Sequence, residues 1–248
     1  MRTRRPRASV QKGKATIRRQ PVLEVIACSV ADAIAAQRGG ASRLEVIRDF
    51  QRGGLTPRLE LVQEILEAVT LPVRVMLRES ENYEVAGEAE REKLCAAASK
   101  LSELSVEGVV LGFLRKGEID AQLTERVLSC APNLSATFHH AFEAAEDPFS
   151  AIRVLKGLKQ VDRILISGGT GEWPDKIARL SRYQEAAGPE IEILAGGGID
   201  QQSMRMICEA TRIREFHVGR AAREPASPAG VVRSELVRAL VETAQHSS

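Results

Sequence analysis

From Pro21 onward the chain alternates short apolar runs, rich in β-branched residues, with longer segments whose apolar residues recur every three or four positions. Val22 to Cys28 is the first such run, and Ser29-Val30-Ala31-Asp32 then offers a helix N-cap ahead of alanines that lead to Gly39-Gly40. Arg43 to Arg48 is the second strand. Gly53-Gly54-Leu55-Thr56-Pro57 predicts a turn and then a cap with proline at the first helical position, followed by one apolar helix face of Val62, Ile65, Leu66 and Val69. Pro72 to Arg78 is the third strand; an acidic loop (Glu79, Glu81, Glu84) follows, and then a long helix carrying Leu94, Ala97, Ala98 and Leu101. Gly108 to Leu114 is the fourth strand, with its helix near Asp120 to Cys130. Thr137 to Glu143 is the fifth, and Asp147-Pro148 caps a helix with Ala151, Val154, Leu155 and Leu158 on one side. Arg163 to Ser167, Ile191 to Ala195 and Glu215 to Val218 are strands six to eight, each with a helical segment behind it.

Eight such units in one chain of this size predict an α/β fold, a closed (β/α)8 barrel forming a single domain over residues 21–248. An open doubly wound sheet would show fewer units and a nucleotide loop after its first strand, and Ser29 to Ile34 is no such loop. In a barrel of this kind sites lie at the carboxyl ends of the strands, and the interior is normally filled by branched apolar residues. Alternation instead puts Glu24, Arg43, Glu45, Arg74, Arg78, Thr137, His139, Ser167 and His217 on inward faces, more polarity than a purely structural barrel holds cheaply. Glu24, Arg43, Glu45 and Arg74 lie far enough from the strand ends to form a buried ion-pair network. Arg78, His139, Ser167 and His217 lie nearer the mouth, where a ligand would sit. His139 and His140 are neighbours on a strand and point to opposite faces, so they do not chelate one metal together. The plainer reading of His139 is a hydrogen-bonded core histidine.

Charge divides the chain. Residues 1–20 carry eight basic side chains and no acid, so a formal charge of +2 for the whole leaves a mildly acidic body. The basic segment reads as a disordered extension, with recruitment of a partner as an alternative. It holds no aromatic residue, and the 4% aromatic content of the chain leaves little to stack nucleobases, so a small anionic molecule rather than nucleic acid is the expected partner, the basic tail apart. No apolar run approaches the roughly 18 residues of a transmembrane helix, and the first residues lack a secretory core, so a cytoplasmic protein without a membrane partner is expected. Cys28, Cys95, Cys130 and Cys208 are scattered and form no C-x-x-C pair, which predicts reduced thiols rather than a zinc knuckle or a disulfide framework. Homo-oligomerisation is expected only by analogy with other barrels.

Glycine clusters follow three late strands: Ser167-Gly168-Gly169, Gly196-Gly197-Gly198 and Gly219-Arg220. Loops after strands seven and eight often grip phosphate through backbone N–H groups, and Arg220 could add charge-assisted bonds. Asp200, expected to cap the seventh helix, would compete with an anion there. Tight βα turns explain the same glycines equally well. No lysine falls on an expected strand, which argues against a Schiff-base enzyme. One chemical reading is an isomerase or lyase acting on a small anionic or phosphorylated metabolite. In it the glycine N–H groups, Arg78 and Arg220 hold the anion, His139 or His217 moves a proton, and Glu45 orients or assists. A variant gathers His139, His217 and Glu45 around a divalent metal.

Leu23-Glu24-Val25, Arg43-Leu44-Glu45, the G-G-L-T-P element, Val75-Met76-Leu77-Arg78, Thr137-Phe138-His139, Ala141-Phe142, Arg163-Ile164-Leu165, Ser167-Gly168, Gly196-Gly197-Gly198-Ile199 and His217 resemble, in order and spacing, the CutC copper-homeostasis family over roughly residues 21–225. The resemblance implies a cytoplasmic barrel associated with copper tolerance and, as cofactor, Cu(I). Family members often carry cysteines near the end of strand one and just after the R-x-E of strand two. Here those places hold Ile26, Ala27 and Ile47, with Cys28 one residue further on. Cu(I) is soft and prefers thiolate or thioether ligands, so the sequence speaks against tight copper binding and for a polar pocket with another ligand.

Overall fold

In the computed structural model, which describes residues 20–247, the alternation that marks each strand separates two interiors. Among those residues eight parallel strands close in chain order into one barrel: β1 (Val22–Ala27), β2 (Arg43–Val46), β3 (Val73–Met76), β4 (Gly108–Leu111), β5 (Ser135–Phe138), β6 (Val161–Ile166), β7 (Glu192–Ala195) and β8 (Glu215–Val218), which pairs back onto β1. The helices behind them are α1 (Val30–Gly39), α2 (Leu59–Ala68), α3 (Glu88–Ser102), α4 (Ala121–Ser129), α5 (Pro148–Lys156), α6 (Trp173–Ala187), α7 (Gln201–Ala210) and α8 (Ser234–His246). The expectation for the basic segment 1–20 falls, Gln20 apart, outside the described residues.

Outward strand residues such as Leu23, Val25, Leu44, Val46, Val73, Val75 and Phe138 pack with Val62 and Ile65 of α2, Leu94 and Leu101 of α3 and their counterparts in one continuous apolar layer. Each fully buried Val, Leu or Phe there contributes roughly 1.5–3 kcal/mol. Inside the barrel, Ile26, Ile47, Met76 and Val110 form a separate small apolar cluster, beside the buried polar and charged residues Glu24, Arg43, Glu45, Arg74, Thr137 and His217. Helix starts follow the expected chemistry. Ser29, Asp120, Asp147 and Asp200 each accept a backbone N–H of the first turn, and Ser203 completes a capping box with Asp200. Such caps are worth about 1 kcal/mol apiece.

Two expectations change. Thr56 does not cap α2, which begins at Leu59 after Arg58. Its backbone N–H instead donates to the Arg78 carbonyl at 2.8 Å, and its hydroxyl accepts the Arg78 N–H at 2.8 Å, which latches the Gly-Gly-Leu-Thr-Pro loop to the end of β3. The fifth strand ends at Phe138 rather than reaching Glu143. The His139 N–H still reaches the Leu111 carbonyl at 2.8 Å, but the chain then turns into a short 3-10 helix, His140–Ala144, which swings Glu143 out of the barrel wall.

Candidate functional site

The lower interior, toward the amino ends of the strands, is an ionic layer. Register sets Glu24 beside Arg43 on one side and beside His217 on the other. Arg43 donates to Glu24 at 2.5 Å and to Glu215 at 3.3 Å, and Arg163 donates to both oxygens of Glu215 at 2.6 and 3.1 Å. Arg74 is wholly buried; it bonds both oxygens of Asp162 at 2.7 Å, Glu107 at 2.9 Å and the Thr137 hydroxyl at 2.7 Å. Burial alone would raise the pKa of Glu24, but Arg43 and then His217 outweigh it and hold this carboxyl far below the usual range. Asp162 is lowered in the same way by Arg74. Of the four residues expected to pair, three do so. Glu45 does not: although it lies in register with Arg74, the Arg74 guanidinium is committed to Asp162 and Glu107.

Glu45 therefore stands one level higher, with a different environment. His217 gives its Nδ1 to Glu24 at 2.8 Å and turns Nε2 toward Glu45 Oε2 at 3.5 Å, the outer limit of a hydrogen bond. The other oxygen, Glu45 Oε1, is buried with no partner among the described residues. Burial, with Glu24 adding to it and His217 opposing, raises the Glu45 pKa from the ordinary 4.5 to about 7. His217 is itself raised, because Glu45 and Glu24 outweigh its burial.

His139 completes this level from beyond β5. Its Nδ1 accepts the Ala141 N–H at 3.2 Å, which assigns the ring proton to Nε2. That Nε2 is buried and has no partner among the described residues. Burial first, then the neighbouring Arg78 and His140, drives the His139 pKa well below its usual value, so the ring is a neutral N–H donor. It seats against Gly112, where an added Cβ would stand 2.5 Å from Nδ1, and against Tyr83 at 5.5 Å between ring centroids. Arg78 covers the far face of this group, 4.8 Å over the Tyr83 ring, and donates to the carbonyls of Ser80 at 2.9 Å and of Glu81. It has no carboxylate partner among the described residues, and burial lowers its pKa.

Glu45, His139 and His217 open into a cavity of about 750 Å³ whose walls also include Ile26, Ile47, Met76, Gly197, Gly198 and Arg220. Arg220 is exposed and unpaired among the described residues, and the N–H groups of Gly197 and Gly198 meet no acceptor there. Asp200 caps α7 from the same rim. The other glycine loop is corrected: Ser167, Gly168 and Gly169 do not line the cavity. The carboxylate of Glu143 already accepts from Ser167 N (3.0 Å), Ser167 Oγ (2.8 Å) and Gly169 N (2.7 Å), so an internal anion occupies the grip. Gly196 is likewise a wall residue, its N–H bonded to the Ile166 carbonyl at 2.8 Å. Gly219 does reach the cavity. Sequence reasoning missed Glu107, Asp162, Arg163 and Glu215 in the ionic layer, and Tyr83 and Gly112 around His139. The inward parity of Arg163 and Glu215 was the one available signal.

The donor set does not fit Cu(I). Cys28 is the thiol nearest the cavity, yet it does not line it, lies 3.7 Å from Arg223 Nη2, and is pushed by burial up to about 11, so it stays a thiol. Among the described residues no three His, Cys, Asp or Glu side chains are placed to share a metal ion, and His139, His217 and Glu45 are not gathered that way.

Residues 22–222 match the model of the CutC family. The copper homeostasis protein cutC homolog of Homo sapiens is 32% identical over 214 residues, covering 86% of this chain and 78% of that one. The family protein CutC of Xanthomonas axonopodis pv. citri is 34% identical over 218 residues, covering 86% of each. A solved structure of CutC from Streptococcus agalactiae superposes with a TM-score of 0.74 at 26% identity, covering 80% of this chain and 98% of that one. PhdJ bound to a substrate intermediate, at 15% identity and a TM-score of 0.59 over 82% of this chain and 67% of that one, shares the fold alone. The family match over residues 22–222, together with relatives more than 30% identical across most of both chains, makes the chain a member of the CutC copper-homeostasis family.

Proposed function

We propose that this CutC-family protein takes up a small anionic organic molecule at the carboxyl ends of its barrel strands and holds no tight Cu(I) site. The observation that carries the reading is the pair of buried, unpartnered polar atoms, Glu45 Oε1 and His139 Nε2, on one cavity of about 750 Å³. A buried polar atom without a partner costs on the order of 1–3 kcal/mol, which a ligand returns by bonding to it. Arg220 and the Gly197 and Gly198 N–H groups supply positive potential at the rim, while Ile26, Ile47 and Met76 suit a short apolar body. Four free cysteines favour a reducing compartment, and we place the protein in the cytoplasm on that ground.

A thermal-shift screen of the reduced full chain tests the reading. Carboxylated and phosphorylated metabolites, and Cu(I) poised by a competing chelator, are compared on the same protein. A carboxylate or phosphate ligand at about 100 times its Kd raises stability by about 2.7 kcal/mol, and Arg220→Ala weakens that response. Submicromolar Cu(I) binding lost in Cys28→Ser, with no response to any anion, would overturn it.

A further inference from the structure

Resting on that small-molecule reading, we propose that the pocket is a proton-transfer site for 2-oxo acids: Glu45 Oε1 removes a proton from the carbon beside the carbonyl, and the carbonyl oxygen accepts the Nε2–H of His139. The two groups have complementary unsatisfied valences. Glu45 Oε1 needs a donor, His139 Nε2–H needs an acceptor, and nothing among the described residues supplies either. They face one cavity of about 750 Å³ from strands three apart around the barrel, β2 and the end of β5. A 2-oxo acid offers both atoms a role: its carbonyl oxygen accepts from His139, and the acidic C–H beside it presents Glu45 with a proton to remove. A plain carboxylate or phosphate satisfies only the donor.

The protonation states fit the task. A general base works best when its pKa lies near the operating pH, and burial brings Glu45 to about 7. His139 is held neutral and so stabilises a forming enolate as a hydrogen-bond donor without giving up its proton. The charged groups that act on Glu45 are His217 from β8, Glu24 from β1 and Arg43 on its own strand; His217 and Arg43 oppose protonation and Glu24 favours it. His217, anchored by Glu24 at 2.8 Å, is a positioning residue that sets the basicity of Glu45. The carboxylate end of the oxo acid goes to Arg220 and the glycine N–H groups of the rim.

The step balances within the substrate and Glu45. The C–H bond breaks and its proton forms an O–H bond on Glu45 Oε1. The released electron pair becomes a carbon–carbon double bond as the carbonyl π pair moves onto the oxygen beside His139. Return of a proton from Glu45 restores the oxo acid, so no oxidant, reductant or co-reactant is consumed.

The experiment places the reduced full chain in D2O with pyruvate, 2-oxobutyrate or 2-oxoglutarate. Proton NMR follows exchange at C3, and calorimetric titration follows binding. Exchange above the buffer rate is expected, rising with pH through about 7. It should fall at least about 100-fold in Glu45→Gln with binding changed by less than about threefold, and about 10-fold or more in His139→Phe. His217→Gln should move the midpoint of the rate–pH profile upward rather than abolish exchange, an effect that a merely structural role would not produce. Because Glu45→Gln removes a buried charge, its unfolding midpoint at or above that of the wild type verifies that the variant is folded. Binding of an oxo acid with exchange no faster than buffer overturns the proton transfer and leaves the anion pocket standing. Binding of other anions but of none of these three overturns the substrate class. No anion binding at all overturns both readings.

Discussion

At the level of Glu24, Arg43, Arg74 and Glu215, charges of both signs meet within 2.5–3.3 Å. Two residues further along the same strands, at the level of Ile26, Glu45, Met76 and His217, apolar neighbours replace half of the charges and Glu45 Oε1 is left without a partner. Residue types are similar in both regions; what differs is stoichiometry. In the lower layer guanidinium groups match carboxylates in number closely enough to satisfy them, so the layer is a closed structural plug. Above it Glu45, His217, the neutral imidazole of His139 and two arginines without carboxylate partners among the described residues surround open space, with Asp200 at the rim. Unspent hydrogen-bonding capacity, rather than polarity as such, separates a binding site from a buried network.

Breaking the plug should have the largest effect. Arg43→Met leaves Glu24 and Glu215 short of their shared cation, and loss of one partner from a buried pair costs about 3–5 kcal/mol. Urea unfolding at neutral pH measures it, and a cost under about 1 kcal/mol would mean that the layer is not structural. Glu45→Gln should act in the opposite direction. Glu45 binds its proton more tightly in the folded chain than in the unfolded one, so its favourable contribution is complete below pH 4.5 and is lost as pH rises through about 7. The glutamine variant is therefore no more stable than the wild type at pH 4 and more stable at pH 8, by on the order of 3 kcal/mol. Equal stability at both pH values would show that Glu45 is not the strained member of the upper level.

The same contrast explains how far the sequence could be read. Period-two alternation found every barrel strand and the inward facing of Glu24, Arg43, Glu45, Arg74 and His217, because facing depends only on parity along the strand. Depth along the barrel axis depends on stagger between strands, which parity does not encode. Glu45 and Arg74 are register neighbours, yet Arg74 reaches down to Asp162, 88 residues away in sequence, and that choice separates plug from pocket. Glu143 reaching Ser167 and Gly169 is a similar long-range pairing, and it turned an expected anion loop into a filled one. His139 does line the cavity, but its setting rests on the turn that ends β5 at Phe138 and on the missing side chain of Gly112, whose place its ring takes.

A smaller effect sharpens the reading of His139. His139→Phe keeps the ring's shape beside Tyr83, removes a buried unpartnered N–H, and takes an acceptor from the Ala141 N–H. The last two terms are each about 1 kcal/mol and of opposite sign, so stability should move by less than about 1 kcal/mol. Anion-induced thermal shifts should fall all the same. A destabilisation well above 1 kcal/mol would return His139 to the lower region's class, a residue held for packing.

The smallest stability change belongs to Arg220, and there the two regions differ most plainly. Arg43 and Arg220 are both arginines facing the barrel axis or its mouth, but Arg220 is exposed and has no carboxylate partner among the described residues to leave behind. Arg220→Ala should change unfolding stability by no more than about 0.5 kcal/mol. Its charge sits within a Debye length of anything in the cavity, so the substitution should weaken anion binding about tenfold and flatten the dependence of that binding on salt. Titration of a bound anion at low and at moderate ionic strength, on both proteins, separates the outcomes. Lower affinity with unchanged stability places Arg220 on the ligand; unchanged affinity at both salt concentrations would move the anion subsite to Arg78 and the glycine N–H groups.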